Sequence, residues 1–128
     1  MAGIEKRKQR HLTLSLEEDV QSAVSTGFED VRLVHRSLPE IDLEEVSTET
    51  ELFGKRLSSP LIVSAITGGT EYAKEINSTL ASVVEDLGIG IGVGSQRIAL
   101  ENPSVAHTFS VVRELAPSAM VMGNIGCP

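Results

Sequence analysis

The hydrophobic pattern becomes regular at Pro60. Leu61-Ile62-Val63-Ser64-Ala65-Ile66 is an almost continuous apolar run, the mark of a strand buried on both faces of a parallel sheet. Thr67-Gly68-Gly69-Thr70 follows as a tight turn. From about Glu71 to Leu87 the period changes to that of a helix, with Tyr72, Ile76, Leu80, Val83, Val84 and Leu87 as the expected apolar stripe. Thr70 is the expected N-cap and Gly88 the expected left-handed stop. A period of two then takes over: Gly88-Ile89-Gly90-Ile91-Gly92-Val93-Gly94 alternates glycine with β-branched residues. Ile89, Ile91 and Val93 share one face of a strand, and the glycines leave the other face bare. Such a run implies that something approaches the backbone closely.

Asn102 and Pro103 read as the N-cap and first position of a second helix, with Val105, Phe109, Val112 and Ala116 on one face and Pro117 as its stop. Met120 to Ile125 reads as a third strand. The order strand, helix, strand, helix, strand makes two βαβ units that share a strand, with parallel pairing. Thr67, Ser95 and Asn124 fall at matching strand ends, on one rim of the sheet. Ligands of parallel α/β sheets bind at that end.

Residues 1–59 lack this regularity. They read as an N-terminal extension, with a short acidic helix over Leu16 to Val24 and a hairpin over Thr50 to Leu57, centred on Gly54, at the N-terminal end of the strands. Residues 60–128 form the βαβαβ part. The chain ends directly after a strand, which points to a fragment of a larger enzyme or to a small open α/β domain. A (β/α)8 barrel needs eight strands and about 250 residues.

Composition narrows the functions. The 128 residues are 41% hydrophobic, 23% charged and 3% aromatic, with a net charge of −7 and one cysteine. Few aromatics and an acidic balance argue against a nucleic-acid surface. No apolar run is long enough to span a membrane. Cys127 fits a reducing, cytoplasmic setting and has no base beside it in sequence, so it reads as inert. Charge is unevenly spread. Lys6, Arg7, Lys8 and Arg10 open the chain, whereas Glu17 to Glu51 contains eleven acids against Arg32 and Arg36. The basic opening is either a solvated tail or a site for a small anion.

In a helix, Arg7, Lys8 and His11 share one face. They would offer phosphate a planar fork, a point charge and a titratable donor. Arg97 at the rim could add to this set. Thr67-Gly68-Gly69-Thr70 precedes a helix, where free N–H groups favour an anion; a simple tight turn is the equal alternative. The dinucleotide fingerprint G-x-G-x-x-G fails in both frames, because its last position falls on Val93 or Ser95. His107 reads as an ordinary helix residue and His35 as structural.

Taken together, Arg7-Lys8-x-x-His11, Leu38-Pro39-Glu40-Ile41, Ser64 to Thr70, Gly92 to Arg97 and Asn124-Ile125-Gly126 resemble the type 2 isopentenyl-diphosphate isomerases, in family order along the whole chain. The resemblance implies the first three strands of an FMN-binding TIM barrel that interconverts isopentenyl and dimethylallyl diphosphate. It implies reduced FMN, Mg2+, NADPH as reductant and a homo-oligomer of four or more subunits. It assigns FMN contacts to Ala65, Ile66, Thr67, Ser95 and Asn124, and the substrate diphosphate to Arg7, Lys8, His11, Ser95, Gln96 and Arg97. No catalytic residue and no metal ligand falls in this chain, since reduced FMN is the expected acid and base. Ile66 stands where many members have Met, and Cys127 where Ala is frequent. The match covers about the first third of the family's length, so this polypeptide alone is expected to have little or no activity. An FMN-dependent 2-hydroxy-acid oxidase, a barrel of related design, is the second enzyme reading. A non-catalytic α/β phosphate-binding module is the third.

Overall fold

A computed structural model describes residues 2–126, with side chains from Lys6 onward. Cys127, read above as inert, lies outside the described residues. Helix α1 spans Ala2–Glu17. An irregular stretch follows, broken by 3-10 turns at Phe28–Asp30 and Leu43–Glu45. Strands β1 (Thr50–Leu52) and β2 (Lys55–Leu57) pair antiparallel. The remaining elements are β3 (Ile62–Val63), α2 (Glu71–Leu87), β4 (Gly90–Gly92), α3 (Arg97–Glu101), a 3-10 turn at Pro103–Val105, α4 (His107–Leu115) and β5 (Met120–Met122).

The three later strands form one sheet in the order β3-β4-β5, with both pairs parallel. The register aligns Val63, Ile91 and Val121 in one row and Ile62, Gly90 and Met120 in the next. Successive residues point to opposite faces, so the first row meets the helices and the second faces away from them. Ile89, Ile91 and Val93 join Val84, Ile98, Phe109, Val111 and Val112 in the core. The bare face of β4 has two uses. At Gly90 a Cβ would lie 2.9 Å from Met120 Cε and 3.2 Å from Ile62 Cγ1, so neighbouring side chains fill that space. At Gly94 a Cβ would lie 2.5 Å from the Thr67 carbonyl oxygen. Glycine there lets the ends of β3 and β4 converge.

Helix α2 begins and ends where its capping residues predict. Thr70 Oγ1 accepts a hydrogen bond from Ala73 N–H at 3.1 Å, and Gly88 adopts the left-handed conformation. Its buried row is different from the stripe of large residues. Tyr72, Val83 and Leu87 are 44%, 46% and 55% exposed, whereas Ala73, Asn77, Ala81 and Val84 are buried. α2 packs on α4, and alanines let two helices approach closely. The tight side of α2 is its small-residue side, one position along from the predicted stripe.

Three other expectations are corrected. The helix predicted over Leu16 to Val24 is absent; α1 ends at Glu17 instead. Beyond it Asp19, Ser22 and Ser25 accept hydrogen bonds from the N–H groups of Gln21, Val24 and Gly27. Such local bonds give the backbone an alternative to a helix. The helix predicted from Asn102-Pro103 is divided: α3 precedes it, a 3-10 turn occupies Pro103–Val105, and α4 starts at His107. Asn102 is extended, as the residue before a proline prefers, and its side chain caps the turn by accepting from Ser104 N–H at 3.2 Å. Phe109, Val112 and Ala116 are buried on the expected face. His35 is exposed rather than structural.

The hairpin sits beneath the N-terminal ends of the strands. Its turn places Phe53 and Gly54 at positive φ, the geometry of a two-residue connection. Leu57 is buried, and Ser58 N–H donates to the Gly88 carbonyl at 2.8 Å. At the same end, Glu85 accepts from Ser118 N–H, Ser118 Oγ and Ala119 N–H. Arg113 Nη1 donates to the carbonyls of Ala116, Pro117 and Ala119 at 2.9–3.1 Å. The loop into β5 is therefore held from both sides by charged side chains.

Candidate functional site

The opposite rim gathers the segments that follow β3 and β4 under helix α1. Lys8 is the tie between them. Its Nζ donates to the Gly68 carbonyl at 2.7 Å and to the Ser95 carbonyl at 3.2 Å, and lies 5.1 Å from the centre of the Phe109 ring. One ammonium thus bridges the segments that follow β3 and β4. Burial, and then the neighbouring positive charge of Arg7, lower the Lys8 pKa below that of an ordinary lysine. Leu12 is half-buried on the same helical face, four residues along. Lys8, His11, Leu12 and Ser15 enclose a cavity of about 100 Å³ with Ile66 and Thr67. Arg7 and His11 are otherwise exposed.

Beneath Lys8 the Thr67-Gly68-Gly69 turn is clamped. Gly69 N–H donates to Thr108 Oγ1 at 2.8 Å, and Thr108 Oγ1 donates to the Val105 carbonyl at 2.7 Å. Asn77 Nδ2 donates to the carbonyls of Thr67 at 3.3 Å and Thr108 at 2.8 Å. Asn77 is 3% exposed and Thr108 fully buried. A Cβ on Gly68 would fall 2.0 Å from the Phe109 ring, which leaves room for glycine alone. The Gly69 N–H and the Gly68 carbonyl are both taken by side chains of this chain. The turn is therefore packed, with one of its N–H groups already engaged.

A wider concavity, about 560 Å³, opens on the face of the sheet away from the helices. Ile62, Ser64, Ala65, Gly92, Met122, Gly123, Asn124 and Ile125 line it, with Val93. Gly92 and Gly123 contribute backbone only. The alternation in β4 thus produces a bare floor where Gly92 faces outward from the core. Asn124 is tied into the rim: its carbonyl accepts from Gln96 N–H at 2.8 Å, and its Oδ1 accepts from Gly126 N–H at 3.0 Å.

The residues singled out from the sequence separate into groups. Ala65 and Asn124 share the wide concavity; Ile66 and Thr67 line the small cavity under α1. Ser95 stands between, its carbonyl on Lys8. The Cβ position of Gly126 lies 3.6 Å from Arg97 Nη2 and 3.8 Å from Ser95 Oγ, so these side chains meet the loop after β5. Gln96 lines a separate groove of about 430 Å³ with Phe109, Arg113 and Val121. His107 does more than an ordinary helix residue: its Nε2 contacts Glu71 Oε1 at 2.7 Å and its Nδ1 the Ser104 carbonyl at 2.8 Å, joining the starts of α2 and α4. Sequence reasoning missed Asn77 and Thr108. The available signal was a polar residue four positions from each of two small ones, Ala73 and Ala81, on one helical face.

A family described as FMN-dependent dehydrogenase matches residues 13–108. The chain is 54% identical over 123 residues to a protein of Archaeoglobus fulgidus named isopentenyl-diphosphate delta-isomerase, covering 96% of this chain and 35% of that protein. Proteins of the same name from Ignicoccus hospitalis and Methanosarcina barkeri are 52% and 48% identical, over 95% and 94% of this chain and 34% and 33% of theirs. The chain spans about a third of the length of the curated relatives it matches.

Proposed function

Because the chain belongs to the FMN-dependent dehydrogenase family, we propose that it forms the rim of a flavin site in an isopentenyl-diphosphate isomerase. In this reading residues 60–128 are the first βαβαβ part of a (β/α)8 barrel, and residues 1–59 are an extension that brings cations to the substrate. The observation that carries it is the pairing of two features at the strand ends. One is a glycine-floored concavity that contains Ala65 and Asn124. The other is a basic helix tied beside it through Lys8. The relatives' names supply the substrate.

The residues present suit a flat ring system. Gly92 and Gly123 put no side chain into the concavity, and a Cβ at Gly92 would already meet Ala65 N at 3.4 Å. Ala65, Ile66, Thr67, Ser95 and Asn124 would hold FMN through backbone and short polar groups. When bound, reduced FMN supplies the acid and base for moving a proton between the allylic carbons. Arg7, Arg97, His11 and Gln96, with Ser95, would grip the diphosphate. Two of the three N–H groups of Lys8 are engaged with carbonyls, which leaves one for the substrate. Mg2+, NADPH as reductant, homo-oligomeric assembly and a cytoplasmic setting belong to the same reading and rest on the resemblance. No helix among the described residues is long and apolar enough to cross a membrane.

The test is a chimera in which this chain replaces the matching third of the Archaeoglobus fulgidus relative. The expected product is a yellow, flavin-retaining protein that converts isopentenyl diphosphate when reduced, followed by NMR. Arg7→Ala in that chimera should raise the substrate KM at least tenfold and leave flavin retention nearly unchanged. A folded, flavin-loaded chimera that turns over a 2-hydroxy acid instead would move the reading to the oxidase. A folded chimera without flavin would leave the α/β binding module.

A further inference from the structure

The polar pair that clamps the turn lies in the core between α2 and α4, and neither member is among the residues proposed to touch flavin or substrate. Asn77 and Thr108 are both buried, and buried polar groups are costly unless paired. Thr108 Oγ1 takes the Gly69 N–H and donates its own proton to the Val105 carbonyl one turn back, while Asn77 Nδ2 holds the Thr67 and Thr108 carbonyls, so the pair's bonds beyond its own helices and the turn before α4 end on the strand-end turn. Apolar residues of the same size would fill this space without fixing anything. The pair therefore specifies a geometry, and the geometry it specifies is that of residues 67–69.

We infer that Asn77 and Thr108 are positioning residues that set the Thr67-Gly68-Gly69 turn, and through it both halves of the proposed site. This rests on the flavin reading of the rim. Thr67 is one of the residues proposed to meet FMN. The next residue, Gly68, presents the carbonyl to which Lys8 docks α1 at 2.7 Å. Gly68 has no freedom of its own, because the Phe109 ring lies against its Cα, and Phe109 follows Thr108 on α4. A single hydroxyl at 108 thus governs where the cofactor-facing backbone and the docking carbonyl stand relative to each other. Replacing it with a methyl group leaves the Gly69 N–H buried without an acceptor.

The experiment uses the chimera described above and three variants of it, Thr108→Val, Thr108→Ser and Asn77→Leu. Hydrogen exchange at the Gly69 amide, measured without FMN, should be at least tenfold faster in Thr108→Val and within threefold of the parent in Thr108→Ser. FMN affinity, measured by quenching of flavin fluorescence, should fall about tenfold in Thr108→Val and Asn77→Leu and recover in Thr108→Ser. Unchanged exchange at Gly69 in Thr108→Val overturns the inference. So does faster exchange with unaltered FMN affinity, because the turn would then not reach the cofactor. If Thr108→Val does not fold, Asn77→Leu carries the same comparison. A parent chimera that folds but takes up no FMN refutes the flavin reading and the functional part of the inference with it, while the exchange data still decide whether Thr108 sets the turn.

Discussion

Ile91 and Leu33 are both large aliphatic residues outside any helix, yet the first is 1% exposed and the second 91%. The contrast extends to their surroundings. From residue 60 onward, strands and helices alternate, and the apolar row of β4 has a partner across the layer: Ile89, Ile91 and Val93 meet Val84, Phe109 and Val112. Between α1 and the hairpin, Val24, Phe28, Leu33, Val34, Leu38 and Leu43 are all more than three-quarters exposed. Short-range polar bonds set the path there instead, such as Asp42 N–H to Glu45 Oε2 at 2.8 Å. One region is shaped by burial, the other by hydrogen bonds between near neighbours. The difference teaches that apolar content alone does not order a segment; a periodic partner does.

The largest effect should separate these regions. Ile91→Ala removes a buried side chain from the centre of the sheet and should cost about 3 kcal/mol. Leu33→Ala should stay within about 0.5 kcal/mol. Urea denaturation of the two variants checks this. A loss above about 1.5 kcal/mol for Leu33→Ala would mean that the lead-in is packed in solution and would erase the contrast.

A second test concerns space inside the ordered region. Gly68→Ala drives a methyl group into the Phe109 ring and should destabilise by about 2 kcal/mol through overpacking. Phe109→Leu added to it should recover part of that loss, since neighbours that share space are not additive. Full additivity would show that the ring moves aside freely.

These regions also differ in how far the sequence discloses them. The order of strands and helices from residue 60 is legible, because period two and period 3.6 alternate and caps mark the boundaries: Thr70 and Gly88 do what their residue types imply. The buried face of α2 was not, because hydrophobicity selects Tyr72 and Leu87 whereas helix contact selects Ala73 and Ala81. The division around Asn102-Pro103 was hidden as well, since a proline can open a helix or a 3-10 turn equally. In the site, the rim residues were legible as strand ends. The split of Ala65 and Asn124 from Ile66 and Thr67 was not, because it depends on where α1 settles. That position is written in Lys8 and Leu12, whose contacts are 60 residues or more away for the lysine.

Helix α1 is intermediate between the two regions, and Lys8 decides to which it belongs. Lys8→Met keeps the stem and removes both carbonyl contacts, which as charge-assisted bonds contribute about 1–2 kcal/mol. Trypsin cleavage after Arg7 and Arg10 should become several-fold faster, with the rate of cleavage near Arg113 unchanged. Lys8→Arg should restore less than the parent, since a planar fork does not reach two converging carbonyls as an ammonium does. Equal cleavage in all three proteins would show that α1 is held by Leu12 and its apolar contacts.

The smallest expected effect is a pH dependence at the ordered region's lower end. Hydrogen bonds from the Ser118 hydroxyl, and then from the Ala119 and Ser118 N–H groups, hold the Glu85 carboxyl below its usual value of 4.5, helped by the charge of Arg113. A folded-state pKa below the unfolded one means that the unfolded chain binds the proton more readily. The contribution of Glu85 is therefore complete above about pH 5 and declines as pH falls through the ordinary carboxylate range toward the lowered value. Glu85→Gln should be less stable than the parent at pH 7, and the gap should narrow on acidification. Urea denaturation of the two proteins across that pH range checks this; a gap that stays constant would show that the bonds to residues 118 and 119 do not govern the protonation of Glu85.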